Sequence, residues 1–288
     1  MSQQTIAVVG LGLIGGSAAL ALSKNKNYRI VGVDNDSSVL EKAASAADIH
    51  PVNAADLGGA DIIIIALSPE NALGWLENNV KNVKKGAIIT DVCGVKRTIV
   101  SRFEHLCHAF GVKFVGGHPM AGRERGGFAN ADAKLFYDCS YILTPTEATD
   151  KSALDRVRQL AFELGAGEIT TASPEEHDRM IAFTSQLPHV LSGAYVRSPQ
   201  CANHLGFSAG SFRDVSRVAA IDENLWADLF MQNADYLYSE IDMFMENLEQ
   251  MKAAVLNRDR DKIAGIIKIG RQRKEGVNYD QAYTQHNR

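Results

Sequence analysis

Two segments of this chain carry residue types at spacings that could do chemistry. The first is Gly10-Leu11-Gly12-Leu13-Ile14-Gly15, which has the spacing G-x-G-x-x-G. Glycines recur in many turns, but these follow the apolar run Ile6-Ala7-Val8-Val9 and open a helical pattern. That context predicts a turn that cradles a pyrophosphate. Gly10 permits the tight turn, Gly12 lets backbone approach the phosphates, and Gly15 lets helix and strand pack closely. The N-terminus of the helix that this turn opens, with Leu13 and Ile14 also taken as cofactor-binding, offers free N–H groups and the positive end of its dipole. Asp34 closes the run Ile30-Val31-Gly32-Val33. A carboxylate there accepts hydrogen bonds from both ribose hydroxyls and repels an extra phosphate, so the site favours NAD over NADP. Asn35 beside it is neutral, and no arginine follows directly.

The second segment is Val115-Gly116-Gly117-His118-Pro119-Met120-Ala121-Gly122. A loop histidine is more often structural or solvated than catalytic. Here it stands between a glycine and a proline, after a predicted strand, and ligands of such sheets sit at the carboxyl ends of strands. Imidazole is the side chain best suited to take a hydroxyl proton near neutral pH. His118 is therefore the candidate base. Cys93 is close to it in pattern but reads as a small buried thiol, since nothing in this chemistry needs a covalent intermediate.

These segments need elements to hold them. The first part of the chain alternates β-branched runs with helical patterns, which predicts a parallel α/β sheet. Strands are expected at 5–9, 29–34, 62–66, 87–91, 113–116, 141–144 and 168–171. Helices are expected near 15–24, 37–46, 69–79, 96–110 and 152–164. The run Ile62-Ile63-Ile64-Ile65 is apolar on both faces, as a strand covered by helices on each side must be. From Ser173 the β signal stops. Ser173-Pro174-Glu175-Glu176 reads as a helix start, with a serine cap, an early proline and a glutamate three residues on. Helical patterns follow near 175–183, 187–197, 211–218, 223–258 and 260–275, the fourth being either one helix or two. The expectation is a Rossmann-type dinucleotide-binding domain over 1–172 and an all-helical domain over 173–288.

Composition closes off other classes. The chain has 288 residues with 30 basic and 34 acidic side chains, a net charge of -4. A nucleic-acid binder normally carries a basic surplus, so no nucleic-acid partner is expected. The longest apolar run falls far short of a membrane span, and the N-terminus has no leader pattern. The four cysteines form no metal-ligand cluster and fit reduced thiols, so no metal is expected and the cytoplasm is the expected compartment.

Five stretches in this order resemble the prephenate dehydrogenase family: GLGLIGGS from Gly10, DVCGVK from Asp91, GGHPMAG from Gly116, HDRMIAFTSQLPH from His177 and SFRDVSRVA from Ser211. The resemblance spans nearly the whole chain. It implies NAD-dependent oxidative decarboxylation of prephenate or arogenate, with His118 accepting the proton of the ring hydroxyl. It further implies that His189 and Arg217 contact substrate, the guanidinium gripping a carboxylate. Asp214, three residues before Arg217, would orient it from the same helical face. Glu124 would meet the ammonium of arogenate at the mouth of the site. His177 and Asp178 read as supporting structure, and Lys96 either faces the cofactor or starts a helix. Many relatives carry a serine at the place of Gly94, so here either a water or another side chain covers that role or this branch of the family does without it. A homodimer through the helical domain is also implied, consistent with apolar residues at helical spacing from Met231 to Met251. The competing readings are arogenate as the preferred substrate and, more distantly, a non-catalytic protein that only binds NAD.

Overall fold

A computed structural model describes residues 3–123 and 125–276. Eight strands form one sheet in the order β3-β2-β1-β4-β5-β6-β7-β8. They are β1 (Gln4–Val9), β2 (Tyr28–Val33), β3 (Ile49–Pro51), β4 (Ile62–Ile65), β5 (Ile88–Asp91), β6 (Lys113–Pro119), β7 (Ser140–Thr144) and β8 (Glu168–Thr171). Every neighbouring pair is parallel except β6 with β7. The chain reverses strand order between β3 and β4, leaving the ends of β1 and β4 side by side, the crevice where such sheets bind ligands.

Alternation along each strand divides the core between the two faces. Ile6, Val8, Ile62 and Ile64 pack with residues of α1 (Leu13–Leu22) and α5 (Lys151–Leu164). Ala7, Val9, Ile63 and Ile65 pack with α3 (Pro69–Asn79) and α4 (Arg97–Ala109). All four isoleucines of β4 are buried, each worth about 1.5–3 kcal/mol of transfer from water. α2 (Ser37–Ala46) is capped by Asp36, which accepts from Ser38 N–H.

The structure departs from the sequence expectation in three places that matter. β3 is an additional strand. It is three residues long, ends in a proline and sits at the sheet edge, where a missing N–H is tolerated. β6 runs on through His118 to Pro119, where a loop was expected, because β7 pairs with it antiparallel and places Ile142 opposite His118. Glycines at 116 and 117 make that pairing possible. A Cβ at 116 would lie 2.3 Å from Thr144 Oγ1, and one at 117 would lie 3.0 Å from the Tyr141 ring.

The third departure concerns the helices. Ser173 caps α6 (Pro174–Ile181) by accepting from Glu176 N–H. A π turn over Ala182–Gln186 leads into α7 (Leu187–Val196). Pro188 lacks the N–H that a continuous helix would use, and the wider turn absorbs the change. α8 (Gly210–Ser216) tightens to a 3₁₀ turn at Arg217–Ala219. The long stretch from Glu223 is two helices, α9 (Glu223–Gln232) and α10 (Ala234–Leu256). They break at Asn233, whose fully buried side chain donates to Asp178 O and Gln186 Oε1.

The change from sheet to helix falls between β8 and α6, whereas the chain divides into two compact units after Ala234. Helices α6 to α9 therefore share a unit with the sheet. The second unit holds α10 and α11 (Arg260–Gly276), joined by a turn with Arg258 at positive φ. Met243, Met245, Leu248, Val255, Leu256, Ile267 and Ile269 are exposed on these two helices.

Candidate active site

The first end of the site is built from backbone. Gly10 has φ +84°, and a Cβ there would stand 2.6 Å from Ala66 O. A Cβ on Gly15 would stand 1.9 Å from Gly10 O, so only glycine lets α1 begin this close to the turn. Around Gly12 a Cβ would meet nothing within 4 Å. Gly12 caps α1 with no side-chain hydrogen bond, and the first turn has no acid. The N–H groups there remain open to an anion. Asp34 is fixed beside them, one oxygen accepting from Leu11 N–H at 2.7 Å and the other from Asp36 N–H at 3.0 Å. An open helix N-terminus with a carboxylate fixed beside it fits NAD.

A cleft of about 670 Å³ runs from this turn to the other end of the site. Gly12, Leu13 and Ile14 line it together with Cys93, Gly94, His118, His189, Arg217 and Trp226. The fold thus gathers His118 from β6, His189 from α7 and Arg217 from the turn after α8. Asp214 lies exposed on α8 and is not among the lining residues. Arg217 keeps helical backbone and its N–H bonds to Arg213 O, so Asp214, three residues earlier, lies on the same helical face. Glu124 lies outside the described residues.

His118 is the front of a chain of hydrogen bonds. Its Nδ1 lies 2.8 Å from His177 Nε2, and His177 Nδ1 lies 2.7 Å from Asp178 Oδ1. Asp178 also accepts from Lys96 N–H at 2.7 Å and from Arg97 N–H at 2.9 Å. Burial pushes its carboxyl upward, but the His177 contact and the Arg97 N–H outweigh that and hold it below the ordinary range. An ionised Asp178 fixes the tautomers in sequence. His177 donates from Nδ1, His118 donates from its own Nδ1 to His177 Nε2, and His118 Nε2 is left with a free lone pair. Burial, with His177 and the Lys96 ammonium nearby, pushes the His118 pKa well below 6.5. The ring is neutral at neutral pH, with Nε2 able to accept a proton.

Lys96 immediately precedes α4. Its ammonium is fully buried against Asp91, and Asp91 also accepts from Cys93 N–H at 2.9 Å and Gly117 N–H at 3.2 Å. The pair therefore pins the Cys93–Gly94 turn and the strand that carries His118. Burial raises the Cys93 thiol well above its usual range, which makes it inert. Across the cleft, His189 Nδ1 lies 2.7 Å from Val218 O and its ring centroid 3.8 Å from that of Trp226. Burial lowers its pKa, the Val218 carbonyl opposes that, and the Arg217 guanidinium adds to it. With Nδ1 donating, Nε2 of the neutral ring is an acceptor.

Sequence reading missed Trp226, for which a tryptophan in a helical pattern gives no signal. It placed His177 and Asp178 as structure behind the site, and there they lie, His177 against His118 and Asp178 against His177. Their adjacency in HDRM was visible, but only the topology places α6 behind β6.

Residues 18–170 match the family model described as prephenate dehydrogenase, nucleotide-binding domain. Residues 173–269 match the one described as prephenate dehydrogenase, dimerization domain. The curated prephenate dehydrogenase of Bacillus subtilis (strain 168) is 31% identical over 285 residues, covering 96% of this chain and 76% of its own. Among solved structures, the prephenate dehydrogenase of A. aeolicus in complex with hydroxyphenyl propionate and NAD+ superposes with a TM-score of 0.84 at 26% identity. That match covers 96% of this chain and 99% of the other. A Synechocystis arogenate dehydrogenase superposes with a TM-score of 0.79 at 28% identity, covering 94% and 99%.

Proposed function

Because the chain belongs to the prephenate dehydrogenase family, we propose that it catalyses the NAD-dependent oxidative decarboxylation of prephenate to 4-hydroxyphenylpyruvate, a step of tyrosine biosynthesis. The observation that carries this reading is the His118 Nε2 lone pair, facing a cleft that joins the Gly12 turn to Arg217. When bound, NAD supplies the hydride acceptor. Gly10, Gly12, Leu13, Ile14 and Gly15 seat its pyrophosphate, and Asp34 takes the ribose hydroxyls.

The remaining work falls to side chains of this unit. His118 Nε2 takes the proton of the ring 4-hydroxyl, which makes the carbon beneath it a hydride donor. The ketone that results is a vinylogous β-keto acid, and it loses carbon dioxide as the ring becomes aromatic. Aromatisation drives the reaction, so the protein mainly orients and polarises. Arg217 holds one of the two carboxylates of prephenate with its planar fork. His189 lines the substrate side of the cleft beside Arg217, and Trp226 forms an apolar wall against the ring. Asp214 and Glu124 are assigned no step.

Arogenate is the second reading, supported by the likeness to the Synechocystis enzyme. The helical part, matched as a dimerization domain, and the exposed apolar side chains of α10 and α11 support a homodimer. The division into a nucleotide domain over 1–172 and a substrate and dimer domain over 173–288 belongs to this reading, as does a cytoplasmic location. No helix among the described residues is long and apolar enough to cross a membrane.

The test is initial NADH formation with prephenate and with arogenate, for the native protein and His118→Asn. Turnover that the variant loses supports the reading, and the faster substrate names the preference. No turnover of either, with NAD still bound, would leave a protein that binds NAD without this chemistry.

A further inference from the structure

We propose that the proton acceptor is the His118–His177 pair acting as one unit, with His177 carrying the positive charge once the substrate hydroxyl has given its proton to His118. The inference rests on the function proposed above and adds two residues to it. In the step, the substrate O–H bond breaks and an Nε2–H bond forms on His118. The Nδ1–H bond of His118 then breaks as an Nε2–H bond forms on His177. His118 ends neutral, His177 ends as an imidazolium, and Asp178 remains a carboxylate. Only protons move, so no oxidant enters this step.

The geometry supports it from several sides. The two rings are 2.8 Å apart between Nδ1 and Nε2, a hydrogen bond along which a proton can pass. His177 has a carboxylate at 2.7 Å on its far nitrogen, whereas every neighbour that acts on His118 disfavours its cation. Burial disfavours charge on both rings and lowers both pKa values, but on His177 alone Asp178 and Asp91 work against it. The Lys96 ammonium opposes charge on both rings but is itself matched by Asp91. Arg97 faces Asp178 from α4, and Arg217 and His189 face the cleft from the other side. Tyr141 of β7 is buried near Gly117, with its hydroxyl held neutral by burial. Within this set the cation is most stable on His177.

Moving the charge has a chemical consequence. A cation on His118 would stand against the carbon that must release hydride and would oppose that release. One ring further back, it opposes it less. The relay has no exit of its own, since the side chains of His177 and Asp178 are 0% and 1% exposed. The proton therefore returns through His118 Nε2 to the cleft after product leaves. His177 stores the proton during turnover and does not conduct it to solvent.

The experiment is a proton inventory on single-turnover NADH formation in mixtures of light and heavy water, for the native protein and His177→Gln. Glutamine keeps an acceptor for His118 Nδ1–H but cannot carry a proton. The native inventory is expected to be curved, with two protons in flight. The variant's should be linear, its rate about 10²-fold lower and its KM within about 3-fold, the scale of a lost acid–base partner. A linear native inventory, or a variant within about 3-fold of the native rate, overturns the pair. If the variant does not fold, ¹⁵N-imidazole NMR of the native protein decides instead. The first ring to become a cation on acidification should be His177, and His118 charging first overturns the proposal. That measurement uses no substrate, so it stands apart from failure to turn over prephenate or arogenate.

Discussion

The two ends of the cleft recognise their ligands by opposite means. At the Gly12 end the groups on offer are chiefly backbone N–H, with the Asp34 carboxylate beside them, and the requirement on the turn is that side chains be absent. At the His118 end the contacts are side chains, and each depends on another behind it: His118 on His177, His177 on Asp178, Asp178 on Lys96 and Arg97. A backbone site is specified within six consecutive residues. The side-chain site draws on β5, β6, α4, α6, α7 and α9, and exists only when the sheet has placed them. The first should fail through shape and the second through charge.

The largest separation of the two ends is expected from His118→Asn. It should lower kcat by about 10³-fold, within the range for a lost general base, and leave NAD affinity within about 3-fold. Steady-state kinetics beside NAD titration checks this. A large loss of NAD affinity would mean that the two ends are not separable. Next comes Asp91→Asn, which leaves the Lys96 ammonium without its charge partner in the interior. Stranding one member of a buried pair costs about 3–5 kcal/mol, seen as a lower midpoint in urea. A variant of native stability would show that Lys96 releases its proton or reaches another acceptor.

The glycine end allows a sharper contrast. Gly15→Ala drives a Cβ into Gly10 O and should cost about 1–3 kcal/mol of stability, the scale of overpacking. Gly12→Ala has open space around it and should leave stability unchanged within about 0.5 kcal/mol. It should nonetheless weaken NAD about 10-fold or more, because its methyl occupies the place of the pyrophosphate. If both variants lost stability alike, the turn would be serving the fold and not a ligand.

Acid should act on the side-chain end first. His118 and His177 are held neutral below their ordinary pKa, chiefly by burial. The unfolded chain takes protons on them as pH falls through about 6.5, while the folded chain does not, so stability is lost below that pH. Asp178, with a lowered pKa, acts in a separate and more acid window, below the ordinary carboxylate value of 3.8. Melting temperature against pH should therefore begin to fall below about 6.5, and His177→Gln should flatten that first decline.

What the sequence disclosed follows the same division. The glycine spacing, Asp34, the isoleucine strand and the cap at Ser173 were legible because each is set by neighbours within a few residues. Seven of the strands follow from apolar runs, while β3 was hidden because Ile49-His50-Pro51 is too short to show a pattern. His118 was legible as a residue but not as part of a strand, since that depends on the antiparallel partner β7 some twenty residues later. The break at Asn233 was invisible for the same reason. Asparagine in a helical pattern reads as a weak helix former, and only Asp178 and Gln186 explain why it stops the helix.

The smallest effect is expected where a backbone position lies at the side-chain end. Gly94 lines the cleft, and a Cβ there would stand 3.5 Å from Leu229 and 3.9 Å from His118 Nε2. Those are ordinary contact distances, so a serine fits without displacing anything. Its hydroxyl, one bond further out, can reach Nε2 and donate to the lone pair that the substrate hydroxyl would use. The same hydroxyl can instead turn to the substrate oxygen and help hold it. The two effects oppose each other, and Gly94→Ser should change kcat/KM by less than about 3-fold, with stability within about 0.5 kcal/mol. A loss beyond about 10²-fold would show that Nε2 tolerates no competing donor and that the open space at Gly94 is itself part of the base.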